Sequence, residues 1–233
     1  MRRVRLNALT PLQRERRERI LNTTRAQLSE LGYDGINMRD LAAAADVSPT
    51  TLYNLYENKD VLVLSALQDQ LEQMARQAEA RPEDGLNYLL EIARAITRQI
   101  HETPRWADAI ARLLFQARPE DPITRTLLTD TLAARQTALR AMQDAGQLDP
   151  GADVISISRS LMGSAWSTIL LWTKEVITLE ALPDEFMRNQ LYVLLAVATP
   201  PLRPQLAQAL AALDHPDAPA AAGDASTELG KPT

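Results

Sequence analysis

At 233 residues with 45% apolar side chains, the chain is long enough to bury the cores of a small domain and a larger one. It has no cysteine, no apolar run of about 18 residues or more and no apolar signal stretch behind its arginine-rich start, which predicts a cytoplasmic protein without disulfides or membrane spans. The net charge of −5 is unevenly divided: residues 1 to 25 hold eight Arg against two Glu, a local balance of +6, and residues 26 to 233 carry −11.

The basic end comes first. Arg2, Arg3 and Arg5 suit a flexible arm that tracks phosphates or enters a minor groove. Thr10-Pro11 then caps a helix expected from about Pro11 to Leu31, with Ile20, Leu21, Thr24, Leu28 and Leu31 as its inward stripe and a stop around Gly32 and Gly35. Arg14, Arg16, Arg17, Arg19 and Arg25 lie on this helix. They either follow a phosphate backbone or form a solvated face paired with Glu15 and Glu18.

Residues 37 to 60, NMRDLAAAADVSPTTLYNLYENKD, read as two short helices joined by a turn. Asn37 is an N-cap with Asp40 three residues on, and the first helix turns Met38, Leu41, Ala42 and Ala45 inward. Asp46, Val47 and Ser48 make the turn, with Val47 as an apolar plug. Ser48 caps the second helix and Pro49 takes its first position, where a missing N–H costs nothing. A rotation of roughly 100° per residue then sets Thr50, Thr51, Tyr53 and Asn54 on one side and Leu52, Leu55 and Tyr56 on the other. Uncharged donors and acceptors gathered on one face suit phosphates and base edges, so the segment predicts a helix-turn-helix for duplex DNA. Spacing by itself also allows a helical hairpin whose threonines and asparagine face water. Asn58 can cap the next helix, and Lys59 brings positive charge to a helix N-terminus where a phosphate sits favourably.

The stretch NMRDLAAAADVSPTTLYNLYENKDVL resembles the TetR family of bacterial one-component transcriptional repressors, with matches at Arg39, Asp40, Leu41, Ala42, Val47, Ser48, Thr51, Leu52, Tyr53, Tyr56, Lys59 and Asp60. The motif covers about the first quarter of the chain. Asp46 replaces the usual turn glycine, a position that Asp tolerates because it can enter the left-handed region. Met38 stands where a hydroxyl often meets phosphate, Thr50 where glycine is frequent and Leu55 where Tyr or His is frequent; these departures bear on the operator sequence. The resemblance implies that Arg39 reaches a base or phosphate, that Thr50, Thr51 and Asn54 face the major groove, and that Tyr53 and Lys59 clamp phosphates. Tyr56, on the buried side, is expected to plug the core, and Leu55 to pack at the edge of that face.

Lys59 to about Ala80 forms the connector, with Leu64, Leu67, Leu71, Met74 and Ala78 in register. Further helices are expected at about 83–102, 104–117, 122–148, 152–178, 183–199 and 201–213, with Pro or Gly at nearly every join. No segment alternates with the period of a strand. The fold class is therefore all-α: a helix-turn-helix DNA-binding domain with its basic arm over 1–58, a ligand-binding and dimerisation bundle over 59–213, and a disordered tail over 214–233.

The 152–178 helix is apolar on two sides. Val154, Ile157, Leu161, Ala165, Ile169, Trp172 and Val176 form one stripe, Ile155, Met162, Trp166, Leu170 and Ile177 a second, and Ser156, Ser160, Gly163 and Ser167 a small-residue line. One side is expected to face its own bundle and another a symmetry mate, giving a homodimer with the 183–199 helix. The alternative is a central helix wholly inside one subunit. Dimerisation through the penultimate helices is also what the family resemblance implies, and a dimer can set two reading helices about 34 to 36 Å apart on a near-palindrome.

Tyr88, His101, Trp106, Phe115, Met142, Met162 and Trp166 can line an apolar cavity for a flat or fatty effector, or can be plain core. Ligand binding there is implied mainly by the resemblance. An enzyme is disfavoured: two histidines, no cysteine, no glycine-rich phosphate loop, no metal cluster and no nucleophile triad are visible, so neither metal nor cofactor is expected. A helical adaptor that uses the same fold without DNA is the remaining competitor.

Overall fold

Thr10 and Gln13 close a capping box at the head of α1 (Pro11–Gly35): the Thr10 hydroxyl accepts from the Gln13 N–H at 3.3 Å, and Gln13 Oε1 accepts from the Thr10 N–H at 2.9 Å. This computed structural model describes residues 10–77 and 80–214; the basic arm, Ala78 and the tail with His215 lie outside the described residues. Helix and turn account for those residues, apart from one isolated bridge between Leu148 and Ala198, so the all-α expectation is met. In α1, Ile20, Leu21, Thr24 and Leu28 are buried, but Leu31 is 53% exposed. Gly32, with φ of 69°, breaks the regular backbone immediately afterwards, and Tyr33 and Ile36 close the core in its place.

α2 (Met38–Ala44) and α3 (Pro49–Tyr56) follow, then α4 (Lys59–Gln77), whose first turn is capped by Asn58 Oδ1 accepting from the Val61 N–H at 3.0 Å. A 3₁₀ turn at Pro82–Asp84 leads into α5 (Leu86–Glu102) and α6 (Pro104–Gln116).

The single helix expected over 122–148 is interrupted. α7 (Pro122–Thr124) widens into a π turn at Arg125–Thr129, and α8 (Leu132–Asp144) starts afresh. The wide turn sets Thr126 and Leu127 inward together, where Thr126 Oγ1 accepts from Gln68 Nε2 of α4 at 3.2 Å.

α9 (Val154–Thr173), α10 (Leu182–Val197) and α11 (Arg203–Asp214) complete the chain. Asp153 caps α9 by accepting from the N–H groups of Ile155 and Ser156 at 3.0 and 3.3 Å. α9 ends earlier than expected because Glu175 takes a φ of 58°, which leaves Val176 66% exposed. By length and composition α9 is long and apolar enough to cross a membrane; here it packs on α8 and α10 through Val154, Ile157, Leu161, Ala165 and Ile169.

One hydrophobic cluster runs through α1 to α4 and takes in Trp106, Ala109, Ile110 and Leu114 of α6. The 58/59 join therefore falls inside a packed cluster that α6 shares with the reading helices. Two further clusters fill the bundle, one centred on α8, α9 and α10 and one on α5, α6, α9 and α10.

Candidate DNA-binding surface

α3 is held by its own ends. Asp46 adopts the left-handed conformation, with φ of 52°, so the turn is made without glycine. The Ser48 hydroxyl accepts from the Thr51 N–H at 3.1 Å and shares a hydrogen bond with Thr51 Oγ1 at 2.8 Å. In α2, Asn37 Oδ1 accepts from the Arg39 N–H at 2.8 Å, and Met38, Leu41, Ala42 and Ala45 are buried as expected.

Leu52 and Tyr56 anchor α3 at 0% and 7% exposure, while Thr50, Tyr53 and Asn54 are exposed. Thr51 is half-buried, its hydroxyl turned back to Ser48. Burial raises the phenol pKa of Tyr56 above its ordinary value, in keeping with a plug. Leu55 differs from its expectation: it is 53% exposed beside Asn54. The buried face of α3 is narrow: Leu52 and Tyr56, four residues apart, are covered, and Leu55, about 60° from Leu52 and about 100° from Tyr56 around the helix, falls outside it. Arg39 is exposed and has no carboxylate partner among the described residues.

Lys59 is half-buried at the start of α4. Its ammonium donates to the carbonyl oxygens of Tyr33 and Ile36 at 3.0 and 3.5 Å and lies 4.1 Å from the centre of the Tyr33 ring. The Tyr33 phenol donates to the Asp60 carboxylate, and burial together with that carboxylate pushes the phenol pKa up. Sequence reading missed this fastening of α1 to α4. The aromatic at 33 and the Lys-Asp pair at 59 and 60 are its only trace in the chain.

The arginines of α1 separate in the same way. Arg17 and Arg25 pair with Asp69 of α4 at 2.8 and 3.3 Å, and Arg19 Nε donates to the Ala45 carbonyl at 2.9 Å. Neither Glu15 nor Glu18 forms an ion pair among the described residues, so three of the five arginines are internal fasteners rather than surface partners. Arg14 is exposed and Arg16 partly so.

The residues suggested for an effector cavity are dispersed. Phe115 meets Trp166 edge to face, with ring centres 6.0 Å apart at 84°. Trp106 is buried in the α1–α6 cluster, Met142 is buried in the α8–α10 cluster with half-buried Tyr88 against it, Met162 is buried on α9, and His101 is exposed at the end of α5. A cleft of about 310 Å³ opens between α1, α4 and the α5–α6 join, lined by Asn22, Arg25, Gln70, Gln73, Gln99 and Trp106 among others. Most of its lining residues carry polar side chains, and Trp106 is the only one of the seven suggested residues on its wall.

The expected second stripe of α9 is not one surface. Met162, Trp166 and Ile177 turn into the subunit, while Ile155 and Leu170 are 44% and 37% exposed, with Leu171, outside that stripe, 41% exposed beside them. Ser156, Ser160, Gly163 and Ser167 are exposed between them, Tyr192 of α10 is 53% exposed, and a Cβ added at Gly163 would have no atom within 4 Å.

Residues 20–66 match the model of the family described as bacterial regulatory proteins, tetR family. The chain is similar to the HTH-type transcriptional repressor KstR of Rhodococcus jostii, 31% identical over 166 residues that cover 69% of this chain and 74% of that one. It is also similar to the HTH-type transcriptional regulator UidR of Escherichia coli, 24% identical with 66% and 79% covered. Its fold matches full-length native TylP, a TetR regulator from Streptomyces fradiae, with a TM-score of 0.66 at 18% identity, covering 87% of this chain and 97% of that one. A helix-turn-helix braced on a larger helical bundle, the family motif laid over α1 to α4, and a repressor relative matched along most of its length together identify the chain as a member of the TetR family of DNA-binding transcriptional regulators.

Proposed function

We propose that the protein acts as a homodimeric repressor that grips a near-palindromic operator and lets go when a small molecule binds in its C-terminal bundle. The observation that carries this reading is the division of α3, with Leu52 and Tyr56 buried and Thr50, Tyr53 and Asn54 presented outward. In this reading Thr50, Thr51 and Asn54 face base edges, Tyr53 and Arg39 take phosphates or a base, and exposed Leu55 meets a thymine methyl. Thr51 reaches the groove by releasing its bond to Ser48. The repressor sense follows the relative whose name carries it. An effector that prefers the bundle arrangement with splayed reading heads weakens DNA binding by its differential affinity for the two states.

The direct test is selection of genomic fragments by the purified protein, followed by footprinting. Two protected half-sites about one helical turn apart are expected. Indifference to all fragments at low salt would favour the adaptor reading. Lys59 spends two ammonium donors on carbonyls and keeps a third for a phosphate. Lys59→Ala is expected to reduce the slope of log K against log salt by about one per protomer. An unchanged slope assigns the side chain wholly to bracing α1.

For the dimer, the small-residue line of α9 with Leu170 and Tyr192 beside it is the surface proposed to meet its mate. Gly163→Trp fills open space in the subunit, so its helicity and unfolding temperature should hold while dimer affinity falls at least about tenfold, the equivalent of about 1.4 kcal/mol. Sedimentation of the variant as a dimer of wild-type strength would move the interface elsewhere.

A further inference from the structure

Among the described residues of the bundle, Arg135 of α8 and Arg188 of α10 are the partly buried arginines, and Arg188 pairs with Glu185 and Asp214. Arg17 and Arg25 share the Asp69 carboxylate, whereas Arg135 has no carboxylate partner among the described residues. Its Nη1 donates to the Thr131 carbonyl one turn back at 3.3 Å, and the rest of the guanidinium is open to solvent or to a guest. The side chain borders a void of about 10 Å³ walled by Leu89, Ile92, Ala93 and Ile96 of α5 and Phe186 and Gln190 of α10. Tyr88 supplies the nearby polar group; burial lowers the guanidinium pKa from its ordinary value and raises that of the phenol.

A guanidinium at the rim of an apolar bundle, with part of its hydration lost, one backbone carbonyl in return and no counter-charge, is incompletely compensated. A carboxylate arriving from solution repairs the deficit with two parallel N–H···O bonds, the geometry for which the planar fork is built. Arg135 and Tyr88 are both partly exposed, so the charged end of a guest lies near the mouth and its apolar part lies inward along α5 and α10. The void holds at most about one water as it stands. Entry of an organic body therefore separates α5 from α10, and α5 runs directly into α6, which packs on α1.

We propose that Arg135 is the anion receptor of the effector site, and that the effector is a carboxylate on an apolar body wedged between α5 and α10. This deepens, and rests on, the reading that a small molecule acts through the bundle.

The test uses matched probes on the full-length protein: sodium decanoate against 1-decanol, and 2-naphthoate against 2-naphthalenemethanol, by titration calorimetry, with operator binding followed in parallel. In at least one pair the carboxylate is expected to bind tenfold or more tighter than its alcohol, and Arg135→Gln to remove that preference while leaving the alcohol's binding unchanged. Arg135→Met keeps an apolar stem and removes the charge, so it should unfold at the same temperature as the wild type or higher; a fall of more than about 2 °C would make the guanidinium a structural group and overturn the proposal. Absence of a carboxylate preference in both pairs, or a preference that survives Arg135→Gln, overturns the proposal. Alcohols that release operator as well as their carboxylates do so too, yet leave the effector reading standing. Carboxylates held through Arg135 with operator binding unchanged keep the receptor and sink the effector reading.

Discussion

Asn54→Ala is expected to lower operator affinity by about 30-fold or more with no loss of helicity and a change of no more than about 2 °C in unfolding temperature. Asn54 lies between the anchors Leu52 and Tyr56 along α3 and on the side of the helix away from them, exposed, so its amide contributes nothing to the core. Alanine is also the better helix former. A bidentate amide-to-adenine contact discriminates by about 1–3 kcal/mol, and in a symmetric dimer the loss is counted twice, giving about 2–6 kcal/mol. A contact to a base, as proposed for Asn54, carries the further expectation that the salt dependence of binding stays as in the wild type while sequence preference relaxes. Tyr53→Phe separates hydroxyl from ring at the neighbouring position: loss of a phosphate contact should cost about 1 kcal/mol per protomer and weaken all sequences alike. Unfolding of either variant, or operator titrations that superimpose on the wild type, would show that these faces are wrongly assigned.

Asp69→Ala should be the most damaging single change at the base of the reading unit. The Asp69 side chain is 9% exposed and accepts from Arg17 at 2.8 Å, Arg25 at 3.3 Å and Gln73 at 2.8 Å, while Arg25 also donates to the Ala66 carbonyl at 3.1 Å. Removing it strands two guanidiniums whose side chains are 27% and 17% exposed. Breaking one side of a buried ion pair costs about 3–5 kcal/mol, and partial solvation of these arginines reduces the expected loss to about 2–3 kcal/mol. At about 2–4 °C per kcal/mol for a chain of this size, the unfolding temperature should fall by roughly 4–12 °C. Asp69→Asn keeps the shape and one acceptor and should fall between. Calorimetric traces for Asp69→Ala within 1 °C of the wild type would remove the clamp from the account of how α1 is held to α4.

The elements of the reading unit were legible wherever their causes are local. Asn37, Ser48-Pro49 and Asn58 mark helix starts because each side-chain oxygen bonds an N–H two or three residues on, and all three bonds form. Asp46 in the left-handed region is equally a property of one residue. The bundle was less legible. The π turn at Arg125–Thr129 breaks a stretch that reads as continuous helix, since its reason is Thr126 meeting Gln68 of another helix. Aromatic and sulfur-bearing residues in the bundle suit a core or a cavity equally by type, and the fold sends Trp106 and Met142 to different clusters.

Charge shows the division most sharply. That residues 1 to 25 are basic, that the helices are amphipathic and that α3 carries its polar groups together are properties of order along the chain, because helix geometry repeats every few residues and needs no distant partner. Which arginines remain free is different. Arg17 finds a carboxylate 52 residues away, Arg19 a carbonyl 26 residues away, Lys59 the end of α1, and Arg135 no counter-charge among the described residues. Those destinations depend on how helices cross, and crossing is decided by the joint packing of side chains from distant segments, which no local pattern contains.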